Sequence, residues 1–310
     1  MTHMRSLVRL ALFALAPALH TAMLSAQTAP QRPPITGIAF VEFAVSDEAA
    51  AEAFYGKELG FAKQTLPGSQ QDTVYPVNRG QWIETASGPF HADAPSGRLL
   101  AVGLRTTSVP AMQAYLKAKG ITPVGPVSAG RLAVHDPEGN TVVFVDRRTP
   151  TPKVPAHDNG VSHRIIHAGF VVGSGDKENT FYRDVLGFKP YWHGGMHDGV
   201  TDFISQQVPN GTDWIEFMLN VKPDASAEQR GVSNHFSLGV RKMDTAIAQF
   251  KANGCDTHNC TTSQMGRDGK VQLNVFDPDH SRVELMEYEP SGTVCCSPFV
   301  GKMPSENDPQ

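Results

Sequence analysis

Phe181-Tyr182-Arg183-Asp184-Val185-Leu186-Gly187-Phe188 repeats Phe54-Tyr55-Gly56-Lys57-Glu58-Leu59-Gly60-Phe61 at an offset of 127. The repetition continues on both sides of this octapeptide. Trp82-Ile83-Glu84 returns as Trp214-Ile215-Glu216, at an offset of 132. Leu99 to Arg105 returns as His235 to Arg241 (offset 136), and Asp136-Pro137 as Asp277-Pro278 (offset 141). A widening offset asks only for insertions in loops, which cost little. Recurrence at this scale marks two copies of one unit. The copies span 35–148 and 161–290, joined by a Pro-rich linker over 149–160 and followed by a tail over 291–310.

Each copy reads as strand, helix and short strands, and then the same again. In the second copy Arg164–Val172 is a predicted strand, Asp176–Leu186 a helix stopped by Gly187, and Trp214–Asn220 a strand. His235–Arg241 opens the next unit as a strand, and Met243–Asn253 follows as a helix. Gly254 stands just past that helix, where a left-handed cap is wanted. Val271–Phe276 and Arg282–Tyr288 close the unit as strands. The predicted fold class is α+β, with each copy a pair of βαβββ units.

Ahead of the repeat, Arg5 and Arg9 precede the apolar Leu10–Leu19, and Leu24-Ser25-Ala26 supplies small residues before Gln27. A positive start, a short apolar middle and a small-residue exit make 1–26 a predicted secretory signal peptide, and the mature protein secreted or periplasmic. Its removal, with two arginines and no acid, takes the net charge from −4 to −6. With no basic block, the chain lacks the footprint of a nucleic-acid binder. No apolar run after residue 30 approaches the length of a membrane span. The four cysteines form neither a CxxC pair nor a Cys/His ladder, which argues against a zinc finger. In an oxidising compartment a Cys255–Cys260 bridge, or one from that loop to the tail, is expected. The adjacent Cys295 and Cys296 are not expected to bond each other, since disulfides favour Cα atoms ~4.4–6.8 Å apart.

Alternation assigns the faces of the strands. Ile166, Ala168, Phe170 and Val172 share one face of their strand and His167 takes the other. Ile215, Phe217 and Leu219 lie opposite Glu216; Phe236, Leu238 and Val240 opposite His235; Val283 and Leu285 opposite Glu284. The apolar faces must meet the helices, so His167, Glu216, His235 and Glu284 line the helix-free face of one curved sheet. The spacing is symmetric: 49 residues from His167 to Glu216, and 49 from His235 to Glu284. Two imidazoles and two carboxylates around a local two-fold make a candidate site for one divalent ion (Fe, Mn, Ni, Co or Zn). In the first copy the matching positions hold Phe40, Glu84, Leu99 and Val143, so no site is expected there.

These strings, above all Arg164-Ile-Ile-His167, Trp214-Ile-Glu216-Phe217, Asn234-His235-Phe236 and Asp277-Pro-Asp-His-Ser-Arg-Val-Glu284-Leu285, resemble the vicinal-oxygen-chelate superfamily of glyoxalases, bleomycin-resistance proteins and extradiol dioxygenases. The resemblance implies a half-open cup in each copy and a metal that chelates two neighbouring oxygens of a substrate. Lactoylglutathione lyases carry His, Glu, His and Glu at the positions of His167, Glu216, His235 and Glu284. Their units pair in swapped order, however, which here would join unit three to the ligand-poor unit two. The units must therefore pair three with four, or swap across a homodimer. Extradiol dioxygenases share the inert first copy, but they use two His and one Glu, and the Tyr expected ten residues before the last ligand is Asn274.

The favoured expectation is a glyoxalase-like lyase or isomerase of a small carbonyl or vicinal-oxygen compound, with Glu216 or Glu284 as the base. An Fe(II) dioxygenase is the alternative, and a non-catalytic binding or resistance protein a third class. A substrate-facing set is expected of Trp192, His193 and His197 on the Gly194-Gly195 loop, with Trp214, Met218 and Tyr288. The partner is a small molecule, and the protein a monomer or homodimer.

Overall fold

The computed structural model describes residues 29–66, 73–87, 97–155, 159–222 and 224–308. The signal-peptide reading of residues 1–26 therefore lies outside the described residues. Within them, fifteen strands form two curved mixed sheets, one in each repeat.

The first sheet holds β1 (Ile35–Val45), β2 (Gln64–Thr65), β3 (Thr73–Pro76), β4 (Trp82–Ser87), β5 (Leu99–Thr106), β6 (Arg131–His135) and β7 (Thr141–Val145). Its order is β2-β3-β4-β1-β5-β7-β6. The second holds β8 (Ile165–Val171), β9 (Lys189–Gly194), β10 (Phe203–Gln207), β11 (Trp214–Met218), β12 (His235–Val240), β13 (Gln264–Met265), β14 (Val271–Phe276) and β15 (Arg282–Glu287). Its order is β13-β14-β15-β12-β8-β11-β10-β9. Each unit pairs its first and last strands in parallel, β8 with β11 and β12 with β15, so a helix must carry the chain back across the sheet. The two units then meet antiparallel through β8 and β12. Unit three thus pairs with unit four inside one chain, the arrangement that puts all four site strands side by side.

Local sequence sets the helices. Asp47 caps a helical turn at Glu48–Ala51 that continues as a π-helical stretch, Glu52–Glu58 (together α1). Ser108 caps α2 (Val109–Ala118) and Ser174 caps α3 (Gly175–Tyr182), each accepting a backbone N–H one turn on. The helices α4 (Ala227–Ser233), α5 (Met243–Ala252) and α6 (His258–Thr261) complete the second repeat. Gly60, Gly187 and Gly254 follow three of these stretches at positive φ, the left-handed stop that glycine supplies at least cost.

One apolar core runs through both repeats, from Phe43, Tyr55 and Met112 to Phe170, Phe236 and Phe250. The repeats also clasp each other pseudo-symmetrically. Tyr55 Oη donates to Asp277 and Tyr182 Oη to Asp136, so the Asp-Pro turn of each repeat holds a helix tyrosine of the other. Glu138 accepts the N–H groups of Gly173 and Ser174, and Asp279 accepts that of Ser46. In the linker, Lys153 N–H donates to Gln64.

The structure corrects three expectations of detail. Ile166 does not share the helix-facing side with Ala168 and Phe170, which line the core beside Ile165. It packs instead with Tyr191, Trp214 and Tyr288 on the opposite side. A register shift between Ser237 and Leu238 lets two successive β8 residues, Ile166 and His167, face the same way. The match of Leu99 to His235 also moves by two. Gly169 lies opposite both Glu216 and His235, whereas the equivalent Glu42 lies opposite Glu84 and Ala101, so Ala101 is the counterpart of His235. Finally, Cys295 and Cys296 are bonded to each other with Cα atoms 3.7 Å apart, alongside the expected Cys255–Cys260 bridge.

Candidate metal centre

Three of the four expected ligands converge. His167, His235 and Glu284 bring one donor atom each within 4.8 Å of one another, all three residues buried. His167 Nε2 lies 3.0 Å from His235 Nε2 and 3.3 Å from Glu284 Oε2. Glu216 stands at the edge of this triad. Its Oε2 is 3.6 Å from His235 Nε2, and its Oε1 accepts a hydrogen bond from Ser205 Oγ on β10.

The surroundings prepare the imidazoles for coordination. His235 Nδ1 donates to the Ser233 carbonyl, which leaves Nε2 with its lone pair toward the cup. His167 leans on the Trp214 indole, ring centroids 4.7 Å apart. Burial pushes both imidazoles well below their ordinary pKa, helped by the Arg282 guanidinium, so they are neutral. Two lone pairs held 3.0 Å apart repel unless a cation or a shared proton sits between them. Burial raises Glu216 to about 8, with Glu284 adding its charge, and raises Glu284 to about 7 against the opposing pull of Arg282. A divalent ion would relieve the repulsion that these acids carry. The donor set therefore fits a divalent metal held by His167, His235 and Glu284.

The first repeat has the same cup filled from within. Phe40 stacks on Trp82 where His167 leans on Trp214, and Ala101 and Val143 replace the other two ligands. Glu84, only 1% exposed, is bound by Arg131 and by the Trp82 indole N–H. Arg131 also lies over the Phe40 ring at 4.7 Å.

A cavity of about 390 Å³ opens above the triad. Trp192, Phe203, Trp214 and Met218 form an apolar wall from β9, β10 and β11. Gln272, Asn274 and Arg282 form a polar wall from β14 and β15, and Phe299 of the tail closes a third side. Of the expected substrate-facing set, Trp192, Trp214 and Met218 line this cavity. His193 and His197 do not: His193 sits on the outer face of β9 and His197 in the exposed turn beyond it. The Gly194-Gly195 loop begins later than expected, because Trp192 and His193 belong to a strand whose faces alternate. Tyr288 is buried behind the wall, against Ile166 and Gly239. The sequence reading missed Ser205, Gln272 and Phe299. Arg282 stands two residues before Glu284, so alternation alone places it on the ligand face.

Residues 164–285 match the model of the Glyoxalase/Bleomycin resistance protein/Dioxygenase superfamily. No curated protein matches the chain. Among solved structures, homoprotocatechuate 2,3-dioxygenase from Brevibacterium fuscum superposes with a TM-score of 0.62 at 19% identity, over 84% of this chain and 82% of that one. The Mn(II)-bound glyoxalase from Novosphingobium aromaticivorans superposes with a TM-score of 0.61 at 16% identity, over 82% and 83%. Both likenesses are of fold.

Proposed function

Starting from residues 164–285 as a module of the Glyoxalase/Bleomycin resistance protein/Dioxygenase superfamily, we propose that the protein is a metal-dependent lyase or isomerase of a small carbonyl or vicinal-oxygen compound. The observation that carries this reading is Glu216, a cavity-lining carboxylate beside the triad rather than among its three converging donors. A divalent ion would be held by His167, His235 and Glu284 and would supply Lewis-acid chemistry to the substrate's oxygens. Ser205 holds one oxygen of Glu216, which leaves Oε2 to take a proton from the carbon beside a carbonyl and return it to the adjacent position. Glu284 is committed as a ligand in this scheme. Trp192, Phe203, Trp214 and Met218 pack around the substrate and keep bulk water from that proton. Fe, Mn, Ni, Co and Zn all suit the donors, and the Mn(II)-bound glyoxalase makes manganese the first to try.

The test is deuterium exchange in D2O, followed by NMR, for a panel of α-hydroxy carbonyl compounds with the Mn(II)-loaded protein. Exchange is expected in the wild type. Glu216→Gln should keep the metal and lose about 10²–10⁴-fold in rate, the ordinary contribution of a positioned base. Unchanged exchange in that variant would remove Glu216 from the chemistry.

Ring-cleaving dioxygenase activity is the second reading. A triad of two His and one Glu with open positions favours it, as does pairing of β8 with β12 within the chain. Oxygen uptake with catechols by the Fe(II)-loaded protein would put it first. Failure to hold any metal after anaerobic purification would favour a non-catalytic binder. Export belongs to the same proposal, supported by two disulfides of the kind an oxidising compartment keeps. Amino-terminal sequencing of mature protein should begin at Gln27.

A further inference from the structure

The polar wall of the cavity carries an arginine. Arg282 sits on β15 directly across from His235, two residues before the ligand Glu284, and it lines the cavity. Its Nε is buried with no hydrogen-bond partner. The other cavity arginine is already engaged: Arg267 binds Asp198, the Gly195 carbonyl and Cys295 Sγ. A buried guanidinium donor without an acceptor is costly unless something else accepts from it.

The charge balance points the same way. Arg267 is paired with Asp198, whereas no acid is hydrogen-bonded to the Nε of Arg282 in the cup of about 390 Å³. Net charge of one sign in an enclosed, low-dielectric site selects a ligand of the opposite sign. Guanidinium groups bind carboxylates in a planar, two-pronged fashion that a neutral substituent cannot match.

We infer that Arg282 is a recognition site for a carboxylate on the substrate. The compound taken by this cup therefore carries an anionic group in addition to the two neighbouring oxygens that face the metal. The polar wall of β14 and β15 receives that group, and the apolar wall of Trp192, Phe203 and Met218 receives the rest. This inference rests on the metal-centre reading and names the substrate class within it.

Two chelating probes that differ only in the carboxylate test it: catechol and 3,4-dihydroxybenzoate. Each is titrated into the Mn(II)-loaded protein while the fluorescence of Trp192 and Trp214, both in the cavity wall, is followed. The wild type should bind the acid at least tenfold more tightly than catechol. Arg282→Met should bring the two probes to within about threefold by weakening the acid alone, and Arg282→Lys should restore part of the preference. Catechol binding by the variants serves as the check that they are folded and loaded. Equal affinities in the wild type, or a preference that survives in Arg282→Met, would overturn the assignment of Arg282 and leave the metal centre standing. Binding of neither probe to the wild type would remove the metal-centre reading and the inference with it.

Discussion

Gly169 lies across β8 from both Glu216 and His235, and the imidazole of His235 occupies the space where a side chain would stand. A Cβ built there would fall 2.2 Å from His235 Cε1, a contact that neither the strand nor the ring can absorb in place. Gly169→Ala should therefore turn the His235 ring away from the triad. The expected result is a roughly 10–100-fold loss of Mn(II) affinity by calorimetry, with far-UV circular dichroism unchanged. The two carboxylates should separate in the same assay. Glu284→Gln removes one of three converging donors and should cost more than 100-fold in metal affinity. Glu216→Gln should cost less than tenfold, because Glu216 lies outside that convergence. Equal losses in the two variants would make Glu216 a fourth ligand. At this scale the sequence reveals which face each ligand takes, since alternation along a strand is strict over a few residues. It does not reveal that Glu216 stands off from the triad. That depends on Ser205, which reaches it from a strand whose existence the repeat pattern only implied.

At the scale of elements, alternation fails where a strand is irregular. The shift in β8 beside Ser237 turns Ile166 to the cup side together with His167, and no residue type in Ile165-Ile166-His167 announces it. The displaced match of Leu99 to His235 has a related origin. A slide of two residues preserves the in-out pattern of a strand, so the pattern cannot report it. A second feature belongs to α3, where Glu178 occupies the position held by Ala51 in the first repeat. Its carboxyl is fully buried against Asp136 in the turn that clasps the two repeats. Burial first, and the charge of Asp136 second, raise Glu178 to about 9 from the ordinary 4.5. The folded protein thus keeps this carboxyl protonated where the unfolded chain ionises it. The stabilisation is complete below about pH 4.5 and is lost as pH rises through about 9. Glu178→Gln should abolish that loss and stabilise the protein relative to the wild type at about pH 9, read from urea denaturation at about pH 5 and about pH 9. A wild-type stability that is flat or rising over this interval would contradict the buried acid pair.

Over the whole molecule, two repeats of one architecture present one candidate His/Glu metal centre among the described residues, because the first cup has been closed from inside. The Arg131–Glu84 pair, the Phe40–Trp82 stack and Val143 fill the volume that the triad and cavity occupy in the second repeat. Native mass spectrometry should show one divalent ion per chain. Arg131→Ala should leave that count intact yet destabilise the fold by about 3 kcal/mol, since a buried carboxylate loses its partner. The two cups also differ in how they are walled, and here the sequence is least informative. The tail has no repeat, no periodicity and no partner that composition could suggest. In the structure, Cys295 N–H donates to the Arg267 carbonyl, and Trp192 Nε1 donates to the Cys295 carbonyl. Further along, Val300 N–H donates to the Tyr191 carbonyl, and Lys302 and Thr212 hold Asp308 near the end of the chain. Between these anchors Phe299 stacks on Trp192, meets the Tyr191 ring at a tilt and lies under the buried amine of Lys270, 5.0 Å from its ring centre. Tail anchoring therefore shapes the cavity while leaving the metal ligands on the sheet untouched. A chain ending at Pro290 should bind Mn(II) within a few-fold of the full-length protein. Its tryptophan emission should shift to the red and quench more readily with acrylamide, as Trp192 and Trp214 lose their cover. If the emission is unchanged, or the metal is lost with the tail, the tail does not act as a wall separable from the triad.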